Sequence, residues 1–284
     1  MKIFSELDLT AFNSYRIKSK CRIAYFPESE SDFCELFSSL KEYVLIGSGH
    51  NIILSKEYYQ VPFVIFNGNF DNFRLIENCS IEVEAGAMMW DVSEFACNNS
   101  LSGLEIFWDI PSSLGGAVVM NAGASGEEIK DVLVKVRYYD LRENQIFELK
   151  QEHGEFSYRN SYFQQFKDKI VLKAWLKLEE ADPMEIRRKM ELIKEQRWAK
   201  QPTDLPNAGS VFKRPHGYYV GTIIDELGLK GYQIGGFRIS EKHGGFIVNV
   251  NNGTGSEVLE LIAFIQEKVR NKFGVNLEIE QRII

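Results

Sequence analysis

The feature that most narrows the possible folds is one run of small residues, Ile110-Pro111-Ser112-Ser113-Leu114-Gly115-Gly116-Ala117-Val118-Val119-Met120-Asn121-Ala122-Gly123-Ala124. With so little side-chain volume, its backbone can approach another group closely. Either a second backbone or a flat ligand meets that description. A diphosphate-linked cofactor suits it, since backbone donors reach the pyrophosphate and small side chains leave room for a ring system. A second such segment follows the apolar run Val44-Leu45-Ile46, namely Gly47-Ser48-Gly49-His50-Asn51. Its amides are able to cradle a phosphate, and a plain tight turn is the alternative. It is not a dinucleotide fingerprint, because Ile52 stands where the third glycine belongs and no helix pattern follows.

Periodicity places these segments in an α+β chain. A helical pattern from Asp32 to Leu40 lies between the apolar runs Ile23 to Phe26 and Tyr43 to Ile46, with a third run from Val61 to Phe66, which predicts a small β-α-β unit. Strand patterns follow over Ile81 to Ala85, Val132 to Tyr139, Gln145 to Leu149 and Ile170 to Leu178. Between them, Gly103 to Gly126 reads as a glycine-rich loop region. The segment Asp182 to Lys200 predicts a boundary helix, with Asp182 as cap, Pro183 in the first turn, and Ile186, Met190 and Ile193 on one face. Its Arg187, Arg188, Lys194, Arg197 and Lys200 read as a solvated face. Two further helices end at Gly228 and Gly274. In the final segment Leu277, Ile279 and Ile283 face one way and Glu278, Glu280 and Arg282 the other. The expected domains are residues 1–66, 67–180 and 181–284.

With 284 residues the chain has enough length for a substantial core. A net charge of -7 without long runs of like charge argues against nucleic acid or an anionic membrane as partner. Cys21, Cys34, Cys79 and Cys97 have no zinc or redox spacing and read as reduced, mostly buried thiols. Neither His50, His153, His216 nor His243 sits in a metal or nucleophile pattern. The opening residues have no apolar signal region and no membrane-length apolar run follows, so a cytoplasmic location is expected.

Further candidates are Tyr158-Arg159-Asn160-Ser161, Ala208-Gly209-Ser210-Val211-Phe212-Lys213, and Glu280 with Arg282. Taken singly these read as an ion-pair member, a turn and a solvated strand face. Together with Asn13-Ser14-Tyr15, Gly103-Leu104-Glu105, Gly228-Leu229-Lys230-Gly231, Gly235-Gly236, Ser240-Glu241-Lys242-His243 and Leu277-Glu278-Ile279-Glu280, the ordered set resembles the UDP-N-acetylenolpyruvoylglucosamine reductase family over nearly the whole chain.

The resemblance implies a two-part FAD-binding module of the vanillyl-alcohol oxidase type, followed by a C-terminal α+β substrate-binding domain. It implies FAD as cofactor, NADPH as reductant and a UDP-sugar as substrate, in a monomer serving peptidoglycan precursor synthesis. FAD then falls to Gly47, Ser48, Gly49, His50, Asn51, Ile110, Pro111, Ser112, Ser113, Gly115, Gly116, Asn121, Gly123 and Ala124. Arg159, Ser210 and Glu280 match the family's catalytic residues, and Tyr158, Lys213 and Arg282 fall to substrate binding. Adding hydride to a vinyl group conjugated to a carboxylate leaves negative charge that a cation such as Arg159 holds, and a proton donor such as Ser210 completes the reduction.

Three departures stand out: His50 in the first loop, Ser112 where glycine is usual after the proline, and Arg214 after Phe212-Lys213. At Ser112 the positive-φ geometry of a glycine is expected to be absent or strained. The short interval from Phe163 to Ile170 places the chain in the branch without a tyrosine loop. Two rival readings remain open at this point. One is another oxidoreductase on the same FAD module, and the other is a non-catalytic flavin or nucleotide-sugar binding protein.

Overall fold

The computed structural model describes residues 1–77 and 79–284, and the chain divides into two compact units that are not consecutive in sequence. The first comprises Met1–Phe4, Ala24–Ser48 and Pro62–Glu195; the second comprises Ser5–Ile23, Gly49–Val61 and Gln196–Ile284.

In the first unit the predicted β-α-β element is present. Strand Lys20–Phe26 enters this unit at Ala24 and leads to helix α1 (Glu30–Ser39) and strand Val44–Ile46. Ser29 caps α1 by accepting from the Asp32 N–H at 3.2 Å, and Glu30 and Asp32 place negative charge in its first turn. Its apolar face is Phe33, Leu36 and Phe37, at i, i+3 and i+4, and Phe33 stacks on Phe66 with ring centroids 5.0 Å apart. Strand Phe63–Ile65 lies between the other two, parallel to both, with Ala24 and Val44 each opposite Phe63.

The second sheet of this unit is antiparallel throughout, in the order Gln145–Lys150, Leu133–Asp140, Lys169–Lys177, Ser80–Glu84, Phe73–Ile76. Ile170, Leu172, Ala174 and Leu176 alternate into the interior and meet Ile81 and Val83 from the neighbouring strand. Helices α2 (Met89–Asn98) and α3 (Leu114–Met120) contribute Met89, Val92, Leu114, Ala117 and Val118 to the same continuous core.

Helix α3 corrects the reading of residues 103–126 as loop. Ser113 accepts from the Gly116 N–H as its cap, Asn121 closes it in the left-handed region at φ 44°, and residues 112–115 are stitched to 85–89 by backbone bonds of 2.8–2.9 Å. A side chain at Gly115 would stand 3.2 Å from the Ala85 carbonyl, so the helix packs through its backbone, and glycine is kept despite its poor helix propensity. The composition that reads as loop is therefore the composition of a closely packed short helix.

Helix α4 (Pro183–Lys200) matches the predicted boundary helix: Asp182 Oδ1 accepts from the Met184 N–H at 2.9 Å, and Ile186 and Met190 are buried. Its basic side chains are not simply solvated. Arg187 forks onto Glu94 and lies over the Trp108 ring at 5.3 Å, with Lys194 over the same ring at 4.9 Å. The division between units falls within this helix, after Glu195.

The second unit carries helices α5 (Val220–Glu226) and α6 (Gly255–Phe273) and a three-stranded antiparallel sheet, Gln233–Ile234, Phe237–Ile239 and Ile247–Asn249. Helix α6 starts with a reciprocal capping box between Thr254 and Glu257 and stops at Gly274, φ 69°. Val258, Leu261, Ile262, Ile265 and Val269 form its buried stripe. Strand Arg282–Ile283 runs parallel to Ile52–Ile53, and Lys20–Cys21 parallel to Tyr58–Tyr59.

The final segment departs from its expected pattern. Leu277 is buried, but Ile283 is 46% exposed and Gln281 only 4%. The polar side chain goes inside because partners await it there, as described below. Of the four free thiols, Cys21 and Cys97 are buried while Cys34 is exposed. Among the described residues no helix is long and apolar enough to cross a membrane.

Candidate active site

The sequence candidates gather into two groups, one in each unit. In the first unit, Ser48 Oγ accepts from the Ser113 N–H at 3.1 Å, tying the first small-residue loop to the start of α3. The Ser112 hydroxyl beside it is enclosed and has no hydrogen-bond partner, and its backbone is not among the positive-φ residues, so glycine geometry is absent there. At Gly116 an added Cβ would meet only Ser113 Oγ, at 3.5 Å, so protein packing does not demand glycine at this position.

Asn121 is buried and fully engaged within the protein. Its amide donates to Glu128 Oε2 at 2.9 Å and to the Ser157 carbonyl at 3.0 Å, and its oxygen accepts from the Lys130 N–H at 3.3 Å. It thereby holds the 157–160 turn against the end of α3. On that turn Arg159 takes φ 53°, and its Nη2 donates to the Gly123 carbonyl at 3.1 Å, with the guanidinium 5.2 Å from the Tyr158 ring centroid. A non-glycine residue in the left-handed region costs of order 1 kcal/mol or more, which the surrounding bonds offset. The side chain of Ser161, donating to the Val119 carbonyl at 2.7 Å, completes the support.

In the second unit, residues 208–213 and 277–282 run side by side. Glu280 N–H donates to the Val211 carbonyl at 2.8 Å, Lys213 N–H to the Glu278 carbonyl at 2.9 Å, and Lys213 Nζ meets Glu278 Oε1 at 2.5 Å. Ser210 bridges to Phe246 on its other side. Its hydroxyl is half-buried and makes no hydrogen bond to any described residue, which leaves the proton free for another acceptor. The first loop joins this group through Asn51, whose carbonyl accepts from the Arg282 N–H at 3.0 Å and whose side chain donates to the Glu280 carbonyl at 3.3 Å.

Sequence reasoning overlooked Gln281. Its Nε2 donates to the carbonyls of Ala208 at 3.0 Å and Gly209 at 3.3 Å, and its Oε1 accepts from the hydroxyl of fully buried Tyr15 at 3.0 Å. This side chain fixes the turn that ends in Ser210. The available signal was its place in the inward row with Leu277 and Ile279, where an amide requires a polar partner.

The C-terminal domain model of UDP-N-acetylenolpyruvoylglucosamine reductase matches residues 201–284, and an FAD-binding domain model matches residues 22–149. A UDP-N-acetylenolpyruvoylglucosamine reductase of Francisella tularensis is 41% identical over 280 residues, 98% of this chain and 99% of the relative. One of Caldanaerobacter subterraneus is 40% identical over 100% of this chain and 94% of its own length. The chain belongs to the UDP-N-acetylenolpyruvoylglucosamine reductase family. The crystal structure of a family member from Thermus caldophilus superposes with a TM-score of 0.83 at 28% identity, covering 100% of this chain and 99% of that one.

Family membership bears out the expected α+β fold and the flavoenzyme class. The residues present fit an FAD. Within the first unit, Ser112 offers an enclosed hydroxyl with no protein partner and the Ser48 N–H donates to no described residue; within the second, the N–H groups of Gly49, His50 and Asn51 likewise donate to no described residue. Such unspent donors suit a diphosphate.

Proposed function

We propose that this chain reduces the enolpyruvyl double bond of a UDP-N-acetylglucosamine enolpyruvate to give UDP-N-acetylmuramate, with electrons taken from NADPH. A bound FAD would supply the hydride-carrying chemistry that links NADPH to the vinyl group of the sugar. The first loop, Gly47 to Asn51, and the segment from Ile110 to Gly116 hold that cofactor, with Asn121, Gly123 and Ala124 shaping the end of α3. The flavin module draws on residues 1–66 and 67–180 and the substrate domain on 181–284, although residues 5–23 and 49–61 pack with 196–284 in one compact unit; the protein acts as a cytoplasmic monomer.

The chain's own residues divide the remaining work. Arg159, pre-set by its backbone and its bond to Gly123, holds the negative charge that develops on the substrate carboxylate. Glu280 hydrogen-bonds the enol-like form of the substrate. Ser210 delivers its hydroxyl proton to the α-carbon. Lys213, Tyr158 and Arg282 bind the UDP-sugar.

The observation that carries this reading is the pairing of residues 208–213 with 277–282, which holds Ser210, whose hydroxyl meets no described residue, and Glu280 on adjoining segments. Stopped-flow absorbance of Ser210→Ala tests it. NADPH is expected to bleach the flavin at the parent rate, while reoxidation by the enolpyruvyl sugar slows by roughly 10²- to 10⁴-fold, the usual contribution of a general acid. Parent rates in both halves remove Ser210 from the mechanism.

A further inference from the structure

The imidazole of His50 has one nitrogen sealed and one open. Its Nδ1 is enclosed without a hydrogen-bond partner, whereas Nε2 is not among the enclosed unpartnered atoms and makes no hydrogen bond to any described residue. The loop that carries it is rigid within its own unit. Gly49 takes φ 74°, a Cβ there would fall 2.0 Å from the Phe12 carbonyl, and the Gly49 carbonyl accepts from both the N–H and the hydroxyl of Ser14, at 3.1 and 3.0 Å. His50 therefore cannot turn over by moving its backbone.

A neutral imidazole has one proton to place. On Nδ1 it would be a sealed N–H with no acceptor, among the rarest groups in folded proteins. On Nε2 it remains available outside. Burial, aided by Arg16, lowers the pKa of the ring to about 4, so it is uncharged at neutral pH.

From this geometry we propose that His50 is a neutral Nε2–H donor to the diphosphate of the bound flavin dinucleotide, acting beside the unspent amides of Ser48 to Asn51. The inference rests on the flavin reading above and extends it to one side chain that the family pattern does not supply. Most loops of this kind bind phosphate through backbone alone. Here a ring adds a directional donor and no competing charge.

The test is FAD titration of the flavin-free full-length chain, read by quenching of flavin fluorescence, for the parent, His50→Ala and His50→Gln. A hydrogen bond to a charged acceptor corresponds to roughly a 10- to 100-fold loss of affinity for His50→Ala. His50→Gln, which carries an N–H at similar reach, is expected to recover most of it, and matching thermal melts of the flavin-free variants exclude misfolding. In the parent holoprotein, ¹⁵N spectra of labelled histidine are expected to show one protonated and one bare ring nitrogen for His50, the proton on Nε2. Two protonated nitrogens, a proton on Nδ1, or an unchanged FAD affinity in His50→Ala overturns the proposal. Failure of the parent itself to bind FAD would instead strike at the proposed function.

Discussion

Gln281 allows the sharpest energetic prediction, because its amide has two jobs that separate by mutation. In Gln281→Leu the fully buried Tyr15 hydroxyl loses its acceptor among the described residues, and the Ala208 and Gly209 carbonyls lose their side-chain donor. An orphaned buried hydroxyl costs about 1–3 kcal/mol and each lost amide bond about 1 kcal/mol, while the added apolar burial returns about 1 kcal/mol. The variant is therefore expected to lose about 2–4 kcal/mol, a fall in Tm on the order of 3–7 °C. Tyr15→Phe alone leaves the Gln281 oxygen unpartnered and costs about 1–2 kcal/mol. The double variant removes both ends of that bond and should be more stable than the sum of the singles predicts, by about 1–2 kcal/mol. Urea and thermal unfolding of the flavin-free proteins measure all three. Additivity within about 0.5 kcal/mol would mean that Tyr15 and Gln281 are not coupled, and the network account would fall.

Two further perturbations separate stability from binding. Gly116→Ala adds a methyl group to a helical position where it meets only Ser113 Oγ at 3.5 Å, so stability should hold or rise by about 0.5–1 kcal/mol. FAD affinity should nevertheless drop, and a titration showing both unchanged would place Gly116 away from the cofactor. The second concerns pH. His50 has a folded-state pKa lowered to about 4 from an ordinary 6.5, so its stabilising neutral form is fully favoured above about pH 6.5. That contribution drains away as pH falls towards 4, with a slope of up to about 1.4 kcal/mol per pH unit. Denaturation midpoints of the parent should therefore decline faster than those of His50→Gln in that window and run parallel above it. Parallel curves throughout would show that the ring is not held neutral by burial.

Much of the fold is legible in the sequence because its elements obey single periodicities. Phe33, Leu36 and Phe37 mark α1, and alternation in residues 170–176 marks an inward-facing strand. Glycines 228 and 274 follow the helices where expected, both with positive φ. Helix α3 escaped because a helix packed through its backbone has the composition of a loop. Gln281 escaped because its polarity argues for solvent, although alternation places it in the inward row and three hydrogen bonds satisfy it there. The candidate residues of the site were legible only through the order of their motifs; neither Ser210 nor Arg159 is distinctive alone. Cation-π contacts on Trp108 were invisible for the same reason, since Arg187 and Lys194 meet a ring far away in sequence.

The interleaving of the two units constrains how a ribosome can deliver this protein. Residues 5–23 and 49–61 emerge early, yet they belong with residues 196–284, and Ile52–Ile53 finds its strand partner only in Arg282–Ile283. Until that stretch leaves the exit tunnel, two early segments wait with unmet backbone bonds, exposed to misassociation or to a holding chaperone. A gene fragment cut anywhere between residues 62 and 195 would strand them permanently, so expressing the flavin-matched region by itself should yield a protein that aggregates rather than a working half.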